Sequence, residues 1–190
     1  MQKDISDCPG ISSVRAICPR RGGGRVVTMG FPGLDMDARG DAWLNPERMD
    51  ATLNEATNAG ARLLLVHASS TELPAGALAL LRRNARARGL RVIGLPIEDY
   101  SVPGEPFLRA WRRLRPLFDA IFDDGGAVGM SCHHGAGRSG VTAAMHLIDA
   151  GDPPAEAVTM LRNQFPETVE NDTQFQWLER YAEAVGGRFG

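Results

Sequence analysis

The chain has 190 residues, 43% of them hydrophobic, and a formal net charge of −2 at neutral pH. This length predicts one domain over residues 1–190, and the near-neutral charge argues against nucleic acid or anionic membranes as partners. No apolar run approaches the roughly 20 residues that cross a bilayer, so we expect no membrane insertion. Residues 1–24 are predicted to be an N-terminal appendage or an edge element of the domain.

The cysteines are few and unevenly placed, at Cys8, Cys18 and Cys132. An odd, sparse set in a chain of this length does not form a disulfide framework, and no pair has zinc-ligand spacing with partner histidines. The amino-terminal residues also lack the basic-then-apolar pattern of a secretion signal. We therefore expect a cytoplasmic protein with reduced thiols, no metal and no other cofactor.

Hydrophobic periodicity and turn-forming residues divide the chain into alternating strands and helices. Asn45 followed by Pro46 is typical of a helix N-cap and first turn, and Gly89 and Gly151 are typical helix ends. The predicted strands are residues 25–30, 59–68, 90–97 and 127–131. The predicted helices are residues 46–58, 73–88, 106–122, 152–164 and 171–185, and one more that carries Val141, Ala144, Met145 and Ile148 on one apolar face.

This alternation predicts an α/β fold with a central, mostly parallel sheet and helices on both faces. Residues 31–46 are rich in Gly, Pro and Asp and are predicted to be a loop. Pro116 lies inside the helix predicted for residues 106–122, so we expect that helix to kink or break there.

The turn "CHHGAGRS", residues 132–139, joins a predicted strand to a predicted helix. Ligands of open α/β sheets bind at the carboxyl ends of strands, and a glycine-rich turn before a helix presents backbone N–H groups to an anion. The guanidinium of Arg138 suits a tetrahedral oxyanion. The positive charge of this guanidinium and of the helix N-terminus also favours the thiolate form of Cys132. The turn therefore predicts an anion cradle with a nucleophile at its base, suited to attack on a phosphate ester.

Such a reaction also needs a general acid, because an alkoxide or phenoxide is a poor leaving group without a proton. Asp99 follows a predicted strand whose carboxyl end lies at the same edge of the sheet. Glu98 beside it is the competing candidate.

"CHHGAGRSG" resembles the Cys-x5-Arg-Ser/Thr loop of cysteine-dependent protein tyrosine phosphatases, and its fuller pattern is similar to their dual-specificity branch. "LPIEDYSVP", residues 95–103, resembles the acid segment of the kinase-associated phosphatase-like group and its bacterial relatives. "ETVENDTQFQWLERY", residues 167–181, resembles the start of that group's C-terminal helix, with Glu170 and Gln174 at the matching places. Together these similarities cover about residues 60–185.

The resemblance implies a role for each matching residue. Cys132 would be the nucleophile, Ser139 would assist the leaving thiolate, and Asp99, favoured over Glu98, would be the general acid and then the base. Gln174 is a candidate for positioning water. The substrate phosphate would be bound by Arg138 and by the backbone amides of His133, His134, Gly135, Ala136, Gly137 and Arg138.

The chain departs from this family directly before the cysteine, where Ser131 stands in place of the usual histidine. A hydroxyl supplies neither the ring nor the charge of that histidine, so we expect a less reactive thiol. His133 and His134 follow the cysteine instead. They either add positive charge toward the phosphate when protonated or point to the rim of the site.

The favoured function is hydrolysis of phosphate monoesters on a phosphorylated protein, or of a small phosphate ester, with phosphotyrosine ahead of phosphoserine and phosphothreonine. A phosphoinositide or nucleotide phosphatase is the first alternative, although lipid-directed relatives commonly carry lysines that this loop lacks. A rhodanese-type sulfurtransferase also cradles a cysteine, but it needs neither Asp99 nor Ser139. A phosphate-binding module without turnover stays open because of Ser131.

Overall fold

The computed structural model describes residues 12–186. Its strands are β1 (Val14–Pro19), β2 (Arg25–Gly30), β3 (Leu34–Met36), β4 (Ala42–Leu44), β5 (Ala61–Val66), β6 (Arg91–Gly94) and β7 (Ala127–Cys132). The main sheet has the order β1-β2-β7-β5-β6. Strands β2, β7, β5 and β6 run parallel and β1 pairs antiparallel to β2, so the predicted mostly parallel sheet is confirmed.

The helices are α1 (Pro46–Asn58), α2 (Ala77–Arg86), α3 (Glu105–Asp123), α4 (Gly137–Asp149), α5 (Pro154–Arg162) and α6 (Asp172–Gly186). Because side chains alternate along a strand, Leu63 and Leu65 of β5 face one hydrophobic cluster and Leu64 and Val66 face another. The first cluster includes side chains of α3 to α6, and the second includes side chains of α1 and α2. Helices therefore cover both faces of the sheet, as predicted.

One local prediction is wrong, and a second is narrowed. Residues 31–46 contain the antiparallel hairpin β3–β4, whose turn is closed by the Asp37 carboxylate accepting from the backbone N–H groups of Arg39 and Asp41. Of the kink or break predicted at Pro116, the break does not occur, since α3 continues to Asp123. Trp111 and Phe118 pack against each other across this proline, with ring centroids 4.9 Å apart, and their burial stabilises the helix despite the missing N–H.

The N-terminal segment contributes an edge of the sheet. Residues 14–19 form β1, while residues 1–11, with Cys8, lie outside the described residues. Along the outer side of β1, the side-chain amide of Gln164 accepts from the N–H of Ile17 and donates to its carbonyl, both at 3.0 Å. Within residues 12–186, no helix combines the length and apolarity needed to span a membrane.

Candidate active site

The cysteine loop begins where three parallel strands end together. Cys132 is the last residue of β7 and pairs in register with Gly30, the last residue of β2. Only 3% of Cys132 is exposed, and its Sγ accepts a hydrogen bond from the N–H of Gly135 at 3.2 Å. The hydroxyl of Ser139, in the first turn of α4, lies 3.4 Å from the same sulfur. The loop thus folds back over the thiol and brings a hydroxyl to its other side.

The two loop glycines are needed for different reasons. Gly135 has a φ of +97°, and a Cβ there would lie 2.5 Å from the backbone nitrogen of Gly30. A Cβ on Gly137 would lie 1.8 Å from the Glu170 carboxylate. A side chain at either position would therefore push the loop away from β2 or from the residues that lead into α6.

Arg138 is held at this site by three oxygen partners. Its side chain is 1% exposed, and Nη1 donates to the Glu72 carboxylate at 2.7 Å and to the Ile97 carbonyl at 3.1 Å. Its Nη2 lies 2.9 Å from the Asp99 carboxylate. Burial alone would raise the pKa of the Glu72 carboxyl, but hydrogen bonds from Ser69 and Arg138 bring that pKa below its usual value. Glu72 is therefore an anionic partner that fixes the guanidinium.

The segment after β6 brings Asp99, rather than Glu98, to the arginine. The Asp99 side chain is 54% exposed and forms the ion pair with Arg138. Glu98 is also exposed, and its carboxylate has no ion pair or hydrogen bond with any residue from 12 to 186. Tyr100 has a φ of +55°, which is strained for a bulky residue, and its carbonyl accepts from Asn171 at 3.2 Å. The start of α6 thus holds the segment that carries the acid candidate.

No family model matches the chain. Among curated proteins, it is 26% identical over 102 residues to protein tyrosine phosphatase PRL-1 of Leishmania major, covering 50% of this chain and 58% of that one. It is 30% identical over 94 residues to protein tyrosine phosphatase type IVA 3 of Bos taurus, covering 49% of this chain and 53% of that one. The chain therefore matches little more than half the length of these relatives.

Solved structures match over most of their length. Tk-PTP in the active form aligns with a TM-score of 0.59 at 23% identity, covering 90% of this chain and 97% of that one. Kinase associated phosphatase aligns with a TM-score of 0.67 at 16% identity, covering 85% and 88%. PTPMT1 in complex with PI(5)P aligns with a TM-score of 0.62 at 16% identity, covering 87% and 94%.

This chain has the protein tyrosine phosphatase fold. The resemblance to protein tyrosine phosphatases, predicted from the loop, is confirmed by the curated relatives and by the solved structures. Ser131 is fully buried, and its hydroxyl donates to the carbonyl of Gly30 at 3.3 Å. It therefore ties β7 to β2 without adding a charge beside the thiol of this phosphatase fold.

A histidine from the neighbouring strand reaches the same region of the phosphatase fold. His67 follows β5, and its ring nitrogens lie 2.8 Å from the Leu95 carbonyl and 2.8 Å from the Thr142 hydroxyl. A carbonyl only accepts, so Nδ1 carries the hydrogen and Nε2 accepts from Thr142. Burial lowers the pKa of His67 to about 4, which keeps the imidazole neutral near pH 7.

The backbone of His67 completes this connection. Its N–H donates to the carbonyl of Ser131 at 2.7 Å, and its carbonyl accepts from the N–H of Ile97 at 3.0 Å. His67 thus joins β7, the segment that carries Asp99, and α4. Neither His67 nor Glu72 is among the site residues predicted from the sequence. Both follow the same buried strand, whose carboxyl end lies next to that of β7, and this adjacency is the signal that could have identified them.

The two loop histidines differ in their surroundings. His133 is half-buried, and its pKa is lowered by burial and then by the charge of Arg138. A neutral His133 adds no positive charge toward a phosphate near pH 7. His134 is exposed, and its Nε2 lies 2.8 Å from the Glu167 carboxylate at the rim.

Gln174 is fully buried in the first turn of α6. Its amide oxygen accepts from the N–H of Glu170 at 3.0 Å, and its amide nitrogen donates to the carbonyl of Ser101 at 3.3 Å. A Cβ on Gly137 would lie 2.9 Å from that nitrogen, so the amide lies directly beside the loop. The Gln174 side chain therefore lies between Gly137 and the segment that carries Asp99.

Proposed function

We propose that this protein hydrolyses phosphate monoesters through a cysteinyl-phosphate intermediate, with phosphotyrosine on proteins as its main substrate. The observation that carries the proposal is the convergence of four groups at one edge of the sheet. The Cys132 thiol lies beside the Ser139 hydroxyl, and Arg138 lies beside Asp99, all at the carboxyl ends of parallel strands. A sulfurtransferase would need neither Ser139 nor Asp99 in these places.

In the first step, the loop amides and Arg138 bind the phosphate, and the Cys132 thiolate attacks phosphorus. Nη1 of Arg138 stays with Glu72 and the Ile97 carbonyl, which leaves Nε and Nη2 for the phosphate. At Nη2 the phosphate competes with Asp99. A carboxyl displaced from Nη2 is free to reach the leaving oxygen. As the bond between phosphorus and that oxygen breaks, Asp99 supplies the proton.

In the second step, water attacks the phosphocysteine and Asp99 takes a proton from it. The bond between sulfur and phosphorus breaks, and the Ser139 hydroxyl, 3.4 Å from Sγ, stabilises the departing thiolate with a hydrogen bond. We assign Gln174 to positioning the water, because its amide lies beside the loop at Gly137. The amide nitrogen carries two hydrogens, so one can bind the water while the other stays on the carbonyl of Ser101.

A phosphoinositide is the second candidate substrate. PTPMT1, which shares the fold, was solved in complex with PI(5)P. Against this reading, residues 132–139 contain no lysine, and Lys3 is the chain's single lysine. Phosphotyrosine on a protein is therefore preferred.

The deciding experiment is a turnover panel with EDTA present throughout. It contains a phosphotyrosine peptide, phosphoserine and phosphothreonine versions of the same peptide, phosphoinositide vesicles, and thiosulfate with cyanide. We expect the phosphotyrosine peptide to give the highest kcat/KM and Cys132→Ser to be inactive on every substrate. A protein that turns over only vesicles, or only thiosulfate, would contradict the assignment. Quenching in acid and detecting phosphate on Cys132 by mass spectrometry tests the intermediate directly.

A further inference from the structure

A cavity of about 250 Å³ opens beside the cysteine loop, on its β1 and β2 side. One wall is formed by His133 and His134 of the loop itself. Arg15 of β1 and Arg48 of α1 contribute two guanidinium groups to the lining, and Met36 of the hairpin contributes an exposed apolar side chain. The cavity therefore shares residues 133 and 134 with the loop that is proposed to bind the substrate phosphate.

Arg15 is packed against the loop. Its Nε donates to the carbonyl of His134 at 3.2 Å, and its guanidinium lies 4.8 Å from the centre of the Phe165 ring. A Cβ on Gly135 would lie 2.8 Å from the Arg15 Cγ. These contacts orient the guanidinium, while its two terminal nitrogens have no hydrogen-bond partner among residues 12–186. They are therefore available to an anion in the cavity.

Arg48 supplies a second, buried positive charge in this lining. It is 5% exposed, its Nε donates to the Ser13 hydroxyl at 3.1 Å, and its Nη1 lies 3.2 Å from the Asp35 carboxylate. The pKa of Arg15 is lowered by burial and then by the charge of Arg48, so the two guanidiniums act on each other. An anion between them relieves this repulsion.

The proposal that follows rests on the proposed phosphatase function. We infer that this cavity is a second anion subsite, which binds an acidic or phosphorylated side chain of a peptide substrate close to its phosphotyrosine. Because the subsite and the phosphate cradle share His133 and His134, the second group must lie within a few residues of the first along an extended peptide, at about 3.3 Å per residue.

The charge balance favours a peptide over an inositol polyphosphate. Asp35 offsets one of the two guanidiniums, and Glu167 lies close enough to Arg15 to oppose a dense cluster of phosphates. One additional anionic group therefore suits the subsite better than several. Met36, with 53% of its surface exposed at the rim, adds an apolar contact of the kind that a peptide side chain uses.

The test compares kcat/KM for two peptides as a ratio, so that any effect of a substitution on the cysteine loop itself cancels. Two phosphotyrosine peptides are compared, one with glutamates flanking the phosphotyrosine and one with glutamines in their place, and kcat/KM is measured for each. We expect wild-type protein to prefer the acidic peptide by about tenfold, the usual contribution of a charge-assisted hydrogen bond. Arg15→Gln should reduce the preference to about twofold or less, and added salt should weaken it in the wild type.

Two further variants make the result specific. Arg91→Gln removes an exposed arginine from β6, outside this cavity, and should leave the preference unchanged. Asp35→Asn removes the carboxylate that offsets Arg48 and should raise the preference. Circular dichroism and Tm show that each variant is folded.

The outcomes separate the two proposals. Wild-type protein that hydrolyses neither peptide would contradict the phosphatase assignment itself. Active protein whose preference is the same with and without Arg15 would overturn the subsite alone. A loss of activity in Arg15→Gln confined to polyphosphoinositide vesicles would show that the cavity binds a lipid headgroup and would overturn the peptide assignment.

Discussion

The Nε2 atom of His67 and the hydroxyl of Thr142 lie 2.8 Å apart, at the junction between the end of β5 and the helix that carries Arg138. The hydroxyl has one hydrogen and three acceptors in reach: this nitrogen and the carbonyls of Arg138 at 3.0 Å and Ser139 at 3.2 Å. Because the imidazole is neutral, its Nε2 can only accept, and the hydroxyl hydrogen satisfies it. The bond therefore belongs to the site's framework rather than to local helix structure.

Thr142→Val tests this bond. The substitution keeps the shape but leaves Nε2 of His67 buried without a donor, which costs about 1–3 kcal/mol. We expect Tm to fall by about 2–4 °C for each kcal/mol lost. Thr57→Val is the matched control, since Thr57 makes a similar bond to a preceding carbonyl of its helix but touches no histidine. Equal losses of Tm in the two variants would contradict the assignment.

Acid should destabilise the protein through its buried histidines. Burial lowers the pKa of His67 to about 4 and that of His146 well below 6.5. Between each native pKa and the unfolded value near 6.5, the unfolded chain binds more protons, so the free energy of unfolding falls as pH falls. For His67 the loss begins near pH 6.5, reaches about 2 kcal/mol at pH 5 and levels off below about pH 4.

His146→Leu separates the two contributions. The His146 ring packs against Trp111, Phe118 and Phe122, and its Nε2 has no hydrogen-bond partner among the described residues. Leucine cannot be protonated, so the variant lacks the loss in free energy of unfolding that His146 causes as pH falls. The substitution also breaks no side-chain hydrogen bond. We expect a smaller fall in Tm from pH 7 to pH 5 than in the wild type, measured by thermal denaturation in matched buffers. An unchanged pH dependence would mean that His146 is protonated in the native state.

The acid assignment is tested by the leaving group. Asp99→Asn should lower kcat by about 10²- to 10⁴-fold for phosphotyrosine, whose leaving group needs a proton. The loss should be much smaller for an aryl phosphate with a strongly acidic phenol. Glu98→Gln is the matched control and should change neither rate, because Glu98 forms no hydrogen bond or ion pair with Arg138. A uniform loss for both substrates in Asp99→Asn would assign the carboxylate to binding rather than to proton transfer.

Cys132→Ser and Arg138→Lys separate chemistry from binding. Cys132→Ser should abolish turnover but still bind phosphate, because the loop amides and the Arg138 guanidinium remain. Arg138→Lys should lose both, since an ammonium cannot hold Glu72 and the Ile97 carbonyl while also contacting the ligand. Isothermal titration with phosphate measures the binding. Turnover by Cys132→Ser above background would rule out the covalent route.

The sequence predicted the cysteine loop and the strand ends that surround it, because spacing and turn residues mark them directly. It did not predict the partners of Arg138 and Thr142. Glu72 and His67 reach these residues only because β5 lies between β7 and β6 in the sheet. The order of strands in a sheet cannot be read from hydrophobic periodicity. Periodicity also predicted one apolar face for α4, whereas residues 137–148 are all buried because α5, α6 and the sheet enclose the helix.

The Gln164 side chain affects whether copies of this protein can associate through the β1 edge of the sheet. A strand at the edge of a sheet presents unpaired backbone groups that can recruit a strand from another chain. At Ile17 the amide of Gln164 already occupies both the donor and the acceptor on the outer side of β1. A strand from another copy would have to displace the Gln164 amide before it could pair with β1 at Ile17. Gln164 therefore disfavours edge-to-edge aggregation.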